Sequence, residues 1–208
     1  MGLGDHIAPV VTETLGGLYE KQPFVIEKRT QLLASAEGSV LEVGAGTGFN
    51  LPYYPSAVSA ITVTDPLDGM LERARKRAAK TGKEITTTRA SAEALPFEDA
   101  SFDTVVASFV LCSVDDQDRA LAEIRRVLEP GGRYLFIEHV RAEDPALARK
   151  QDRMEGLWRR VCFGCHPNRD TLPRIESGFD VQEVERDRAP KGPQIVRPYV
   201  LGRGAKSA

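Results

Sequence analysis

The chain has 208 residues, with 28 Lys and Arg against 30 Asp and Glu and a net charge of −2 at pH 7. That length suits one domain with a full-sized core, and 41% hydrophobic with 28% charged residues excludes a largely disordered chain. Near-neutral charge lacks the footprint of a general nucleic-acid binder, so no nucleic-acid partner is expected.

The first residues, MGLGDHIAPV, show no basic region followed by an apolar run, and His6 stands where a myristoylation signal wants Ser or Thr. No export or lipid anchor is therefore expected. Tyr19 to Ala34 reads as an N-terminal helix. Short β-branched or apolar runs then alternate with longer charged segments of helical period. Val40 to Val43, Ala60 to Val63, Glu84 to Thr88, Thr104 to Phe109 and Tyr134 to Ile137 read as strands. Leu67 to Lys80 and Asp116 to Leu128 read as helices between them. The second aligns Ala120, Leu121, Ile124 and Leu128 on one stripe and stops at Pro130-Gly131-Gly132. This alternation argues for a parallel sheet covered on both faces. The uncharged stretch Thr104 to Val114 is far too short to span a bilayer. After Ile137 come a long helix over Pro145 to Val161, a Gly/Cys/Pro loop, and a helix near Leu172 to Glu176. Phe179 to Val184 and Gln194 to Leu201 are the last strand candidates, with Pro193 and Pro198 suited to edge or terminal positions. A single domain over 1–208 is expected, with 1–35 as a helical cap and 145–178 as a helical insertion or lid.

Directly after the first strand comes Glu42-Val43-Gly44-Ala45-Gly46-Thr47-Gly48. Glycines on alternate positions let the backbone turn sharply and approach a ligand closely. Many such turns are plain loops. The dinucleotide fingerprint wants its third glycine at position 49, but Phe49 is there, which disfavours a nicotinamide dehydrogenase. Pro52 and Pro55 would also interrupt a long helix that caps a pyrophosphate. A second acid, Asp65, ends the next strand 23 residues after Glu42, close to the offset of about 20 at which an acid meets ribose hydroxyls. Asp65-Pro66 also suits a helix start, and the two roles are compatible. An adenosine-containing ligand across the strand ends is the leading expectation.

With these residues in place, the sequence resembles the class I S-adenosylmethionine-dependent methyltransferases. Glu42 to Gly48 looks like their first motif and Asp65 like their ribose-binding acid. Ser91-Ala92-Glu93-Ala94-Leu95-Pro96-Phe97 looks like the adenine-side segment, and Leu121 through Gly132 is similar to the helix and turn before the fifth strand. Ser91 stands where an Asp often meets the adenine amino group, leaving backbone groups at Ala92 to serve. A narrower resemblance is to the methyltransferase-like protein seven family of thiol methyltransferases. It is carried by Val110-Leu111-Cys112-Ser113-Val114, Phe136-Ile137-Glu138-His139-Val140, Gly164-Cys165 with Arg169, and Arg197-Pro198-Tyr199 with Gly202. Animal members carry an N-terminal membrane segment; these 208 residues show none, so membrane residence is not expected to carry over. The resemblance implies a Rossmann-like, doubly wound α/β fold with a final antiparallel strand, and S-adenosyl-L-methionine as cofactor. It places Glu42, Gly44, Ala45, Gly46, Asp65 and Pro66 at the cofactor, together with Ser91, Ala92, Glu93, Ser108 and Phe109. The acceptor side is expected at Phe109, Cys112, His139, Cys165 and Arg197.

Methyl transfer from a sulfonium is an in-line displacement, so the protein mainly aligns the partners and excludes water. A thiol acceptor, with a reference pKa near 8.5, needs little help from a base. His139, at the rim after the fifth strand, is the candidate to take or orient the acceptor's proton; a plain hydrogen-bonded rim histidine is equally expected. Cys112 reads as a pocket wall, since free cysteines are usually small buried hydrophobes. Cys162-Phe163-Gly164-Cys165-His166 spells a haem-attachment pattern, which would require export. A zinc site lacks a second ligand pair at metal spacing, so no metal is expected and a substrate-pocket loop or plain packing is the reading. Three cysteines are too few for a disulfide framework and suit a reducing, cytoplasmic compartment. Around Leu147, Met154, Leu157, Trp158 and Val161, the long helix carries Arg149, Lys150, Arg153, Arg159 and Arg160. It reads as a helix docked on the core with a solvated basic face, with a lid or a membrane-surface helix as the sharper alternative. The expected function is methyl transfer to a small molecule, best a thiol. The rivals are N-methylation of an amine or phospholipid head group, and a non-catalytic cofactor-binding module.

Overall fold

The computed structural model describes residues 9–10, 12–13 and 17–206. The expected features at the first eight positions, His6 included, lie outside the described residues, as does part of the expected 1–35 cap. Strands β1 (Gly38–Val43), β2 (Val58–Asp65), β3 (Thr86–Arg89), β4 (Phe102–Ser108), β5 (Leu128–His139), β6 (Asp180–Arg188) and β7 (Pro198–Ala205) form one sheet in the order β3-β2-β1-β4-β5-β7-β6. The β3-β2-β1-β4-β5 pairs are parallel, and β7 runs antiparallel to both β5 and β6. The chain winds outward from β1 to β3, then crosses back to β4 on the other side of β1. The loops leaving β1 and β4 therefore diverge, and a crevice opens at their carboxyl ends.

Successive residues of the central strands enter opposite layers, as the two-residue period of a strand demands. Leu41, Val43, Val105, Ala107, Tyr134 and Phe136 pack on one face with helices α3 (Gln117–Val127) and α5 (Leu172–Gly178). Val40, Val106, Leu135 and Ile137 pack on the other with α1 (Pro23–Leu33) and α2 (Asp68–Thr81). Asp116 caps α3 by accepting from the amides of Asp118 (3.0 Å) and Arg119 (3.1 Å). Gly82, at φ 68°, ends α2 in the left-handed region.

Three elements differ from the sequence reading. The N-terminal helix is split into a single turn at Gly17–Tyr19 and α1, because Pro23 lacks the N–H and the steric room to continue a preceding helix. The last strand begins at Pro198, after a 3₁₀ turn at Gln194–Val196, and runs on through Gly202 and Gly204. A Cβ on Gly202 would lie 2.7 Å from the Phe136 ring, so the glycine that reads as a loop signal instead permits close packing inside the sheet. Helix α4 (Pro145–Val161) has the expected limits but docks only by its first half. Leu147, Ala148 and Gln151 are buried, while Leu157 and Val161 are 65% and 58% exposed.

Candidate active site

The turn after β1 carries three glycines in the left-handed region, with φ 60° at Gly44, 56° at Gly46 and 77° at Gly48. A Cβ on Gly44 would come within 2.7 Å of the Val110 side chain, whereas one on Gly46 would meet no described atom within 4 Å. The first glycine is required by packing; the second borders open space. Asp65 ends β2 and locks this turn: its Oδ2 accepts from the Gly46 amide (3.0 Å) and its Oδ1 from the Leu67 amide (2.9 Å). Burial raises the Asp65 carboxyl above its ordinary value, opposed by those two donors. Helix α2 begins three residues later, so Asp65 shapes the approach to the helix and is not its cap.

Beneath the turn, Glu42 is buried and both its oxygens have protein partners. Asn50 Nδ2 donates to Oε1 (2.9 Å) and the Tyr54 hydroxyl to Oε2 (2.8 Å). Arg29 Nη1 donates to Asn50 Oδ1 and to Ser108 Oγ (3.3 Å), and its Nη2 to Glu20 (2.6 Å). Burial pushes the Glu42 carboxyl up to about 7, against hydrogen bonding from Tyr54 and Asn50 and the charge of Arg29. The acid of the first motif is thus a strut under the glycine turn. Its carboxyl is engaged by Asn50 and Tyr54 and it does not line the crevice, where the sequence reading expects a direct ligand contact.

A cavity of about 430 Å³ fills the crevice. Of the residues expected at the cofactor, Gly44, Asp65, Pro66, Ser91, Ala92, Glu93 and Phe109 line it. Glu42, Ala45, Gly46 and Ser108, also expected at the cofactor, are not on its lining. The Ala45 amide donates to the Thr64 carbonyl (2.8 Å), and the Ser108 hydroxyl faces Arg29. Leu67, Met70, Val110, Ser113, Val114, Asp115 and Phe163 complete the wall and were missed by sequence reasoning. Met70 was legible only as a core position on the helix following Asp65. Ser91 closes a tight turn: its hydroxyl donates to Glu93 Oε2 (3.0 Å), and Glu93 Oε1 accepts from the Asp116 amide (2.6 Å). This holds Ala92 against the cavity.

The acceptor-side residues gather where β4 and β5 end. Phe109 leaves β4 at φ 60°, an unusual conformation for a bulky residue, and stacks on His139 at 4.4 Å between ring centroids. Glu138, fully buried, accepts from the amides of Val110 (2.9 Å), Leu111 (2.9 Å) and Cys112 (3.1 Å), fixing the segment that leads from the cavity to Cys112. Burial and the neighbouring Cys112 raise its carboxyl well above the ordinary range, while the three amides oppose this. Sequence reasoning missed this positioning role, although Glu138 stood in a quoted motif. The sulfurs of Cys112 and Cys165 lie 3.8 and 3.7 Å from the same atom, His139 Nδ1. Hydrogen bonding with Cys165 and burial raise the Cys112 thiol far above its ordinary range. Of the residues expected on the acceptor side, only Phe109 lines the cavity; Cys112, His139 and Cys165 do not. Arg169 ties the later loop down through the carbonyls of Leu111 (2.9 Å) and Val114 (2.6 Å), and the His166 amide donates to the Cys112 carbonyl (2.7 Å).

One expected acceptor residue lies elsewhere, and the haem-like run is divided. Arg197 belongs to the β6–β7 connection, where its Nε donates to the Gly192 carbonyl (2.9 Å), and it does not line the cavity. The haem-like run also diverges: Cys165 turns inward to His139, whereas His166 pairs with Glu155 (2.7 Å).

The family described as a methyltransferase domain matches residues 41–136. Human thiol S-methyltransferase TMT1A is 33% identical over 177 residues, covering 83% of this chain and 72% of its own length. The chain belongs to the class I S-adenosylmethionine-dependent methyltransferases. A phosphatidylethanolamine N-methyltransferase from Cereibacter sphaeroides is 38% identical over 124 residues, 58% of this chain and 61% of that protein. The structure of N-methyltransferase NodS from Bradyrhizobium japonicum in complex with S-adenosyl-L-homocysteine has the same fold, with TM-score 0.69, 19% identity and 90% coverage of each chain. The methyl donor of this methyltransferase is S-adenosylmethionine, and the crevice fits it. The space beside Gly46 admits a ligand against backbone, Asp65 presents a buried carboxylate suited to ribose hydroxyls, and Met70, Leu67 and Ala92 form an apolar wall for a base. Among the described residues no helix is long and apolar enough to cross a membrane.

Proposed function

We propose that the acceptor is a small-molecule thiol. The observation that carries this reading is the apolar side of the cavity, Phe109, Val110, Val114 and Phe163, with Phe109 stacked on His139, which suits a neutral apolar acceptor. The likeness to a thiol S-methyltransferase over most of the chain supports it. Bound S-adenosylmethionine supplies a methyl group activated by its sulfonium charge. The chain's residues do the rest. Gly44, Asp65, Pro66, Ser91, Ala92 and Glu93 hold the nucleoside part, with Glu42, Ala45, Gly46 and Ser108 shaping the turn and strand ends behind them. Phe109 and His139 form a stacked wall that orients the acceptor, and Cys112 and Cys165 close its far side. Segment 145–178 acts as a lid, bringing Phe163 to the cavity, and three unpaired cysteines fit a reducing cytoplasm.

A second reading is favoured by the exposed Leu157, Val161 and Phe163 (49%) beside the arginines of α4. An amphipathic surface of this kind suits a lipid interface and N-methylation of a phospholipid head group. A matched pair of acceptors that differ only in SH and NH₂ separates the two. Faster methylation of the thiol at pH 7 is expected, because the amine is mostly protonated there. Faster methylation of the amine, or activity only on vesicles that contain phosphatidylethanolamine, would overturn the thiol reading.

A further inference from the structure

Cys112, His139 and Cys165 offer three soft ligand atoms within 4.8 Å of one another, from three separate parts of the chain. The Cys112 thiol also reaches the Phe109 carbonyl and the Ser113 hydroxyl (both 3.5 Å), so its proton has partners away from the histidine, yet its sulfur stays beside the same ring nitrogen as that of Cys165. A neutral imidazole has one lone pair, so Nδ1 can accept from one thiol and not from two. Yet both sulfurs approach that one nitrogen, at 3.8 and 3.7 Å. A tetrahedral zinc with Zn–S of about 2.3 Å and Zn–N of about 2.0–2.1 Å sets sulfur–nitrogen edges of about 3.6 Å and a sulfur–sulfur edge of about 3.8 Å. The observed triangle is within a few tenths of an ångström on the two measured edges. Closing it needs only small rotations of the side chains.

We propose that Cys112, Cys165 and His139 Nδ1 form a binding site for a soft divalent cation, best Zn²⁺; no fourth His, Cys or carboxylate among the described residues joins them, which leaves the fourth position open to solvent or an acceptor. Two cysteines and a histidine with one position left open is a ligand set of catalytic zinc centres. The supporting shell is already in place. Glu138 clamps the backbone at Cys112, and the His166 amide joins the Cys165 loop to the Cys112 carbonyl. Arg169 pins that loop from below, and Phe109 stacks on the imidazole. On binding, each cysteine forms a metal–sulfur bond and releases its thiol proton to solvent, two protons per cation. At the open position a thiol acceptor would bind as thiolate and release its own proton. That last step rests on the thiol reading above; metal binding by the three side chains does not. Cys162 and Cys165, the pair that looks like a metal motif in the sequence, are not ligands together: the partners of Cys165 lie 26 and 53 positions back.

The test is a Co²⁺ titration of the full-length, fully reduced, metal-stripped protein, followed by ultraviolet and visible absorption. The expected result is one Co²⁺ per chain with a thiolate-to-cobalt charge-transfer band, displaced by one equivalent of Zn²⁺. Cys112→Ser and Cys165→Ser should each weaken Zn²⁺ binding by more than about 100-fold, and Cys162→Ser should leave it unchanged. His139→Cys keeps three soft ligands, so it should still bind and should strengthen the band. Absence of the band in the wild-type protein would overturn the site, whatever the variants do. So would a band that survives Cys112→Ser and Cys165→Ser, or one lost in Cys162→Ser. Adding benzenethiol to the cobalt protein should shift the band. Methylation of that thiol without any shift would overturn the open fourth position, whereas a shift without methylation would count against the thiol reading and leave the metal site standing.

Discussion

Replacing Glu42 by Gln tests whether the first-motif acid is a buried strut. Burial lifts its carboxyl from the ordinary 4.5 to about 7. Between those values the folded protein keeps a proton that the unfolded chain has released, so stability falls as pH rises through the window. The stabilising contribution is complete below about 4.5 and gone above about 7. At 1.36 kcal/mol per pH unit, the interval corresponds to about 3 kcal/mol. Gln is close in shape to the protonated acid. Its amide oxygen can accept from Asn50, and its amide nitrogen can donate to the Tyr54 oxygen, which replaces two bonds of 2.9 and 2.8 Å. Near pH 4.5 the wild type and Glu42→Gln should therefore melt alike. By pH 8 the variant should be the more stable by about 3 kcal/mol, or roughly 6–12 °C in Tm for a domain of this size. Differential scanning calorimetry of both proteins from pH 4.5 to 8 measures this. Asp65 and Glu138 are also raised by burial, but they act equally on both proteins, and the difference between the two curves isolates Glu42. Parallel curves across that range would refute the reasoning, because they would mean that Glu42 is ionised in its buried site at no cost.

Asp65→Ala should lower S-adenosylmethionine affinity by one to two orders of magnitude in calorimetric titration, since charge-assisted hydrogen bonds contribute about 1.5–3 kcal/mol; unchanged affinity would remove Asp65 from the ribose. Gly46→Val should lose cofactor binding, because its side chain enters open space beside the turn, and its left-handed backbone should also lower Tm, so binding is compared below the variant's own melting transition; normal binding by the folded variant would refute the role of this turn. Gly44→Val should instead fail to fold stably, since a Cβ there meets Val110 at 2.7 Å in a left-handed backbone. Glu138→Gln sets an amide donor against the Cys112 N–H, which should cost about 1–3 kcal/mol and speed the reaction of Cys112 with a small disulfide reagent. Equal Tm and equal reactivity would show that the Glu138 clamp is dispensable.

Much of the fold was legible because its signals are local. The alternation of apolar runs with helical-period segments specifies a covered parallel sheet, and glycines at positions 44, 46 and 48 announce a turn that only left-handed residues can make. The cofactor crevice followed from the same logic, since Gly44, Asp65 and the 91–93 turn all sit at strand ends. Which way a side chain faces was not legible. Glu42 carries the charge expected of a ligand contact, yet its position on β1 turns it under the loop toward Asn50 and Tyr54. Arg197 lies two residues before Tyr199, the sheet partner of His139, but its guanidinium bonds to Gly192 instead. The 3₁₀ turn before β7 set that orientation, and nothing local in the sequence encodes it.

The Cys112, His139 and Cys165 convergence belongs to a third kind of feature, one that arises from sheet register. The Ser108–Ile137 pairing brings the ends of β4 and β5 level, so that Phe109 and His139 emerge side by side and stack. The same alignment carries Glu138 beneath the amides of residues 110–112. Helix α4 then returns the chain across this rim, and the loop at 162–169 packs against Ser113 and Val114: a Cβ on Gly164 would lie 3.1 Å from the Ser113 carbonyl oxygen, and Arg169 donates to the Val114 carbonyl (2.6 Å). Ser113 and Val114 line the cofactor cavity on one side and anchor that loop on the other. Any displacement of the loop must therefore move a wall of the cavity. If the acceptor meets Cys165 and His139 as proposed, those contacts are joined to the cofactor crevice through residues 109–114, a segment held by a buried carboxylate and a phenylalanine at positive φ. That coupling is what an in-line displacement requires, because donor and acceptor must be positioned by one rigid frame.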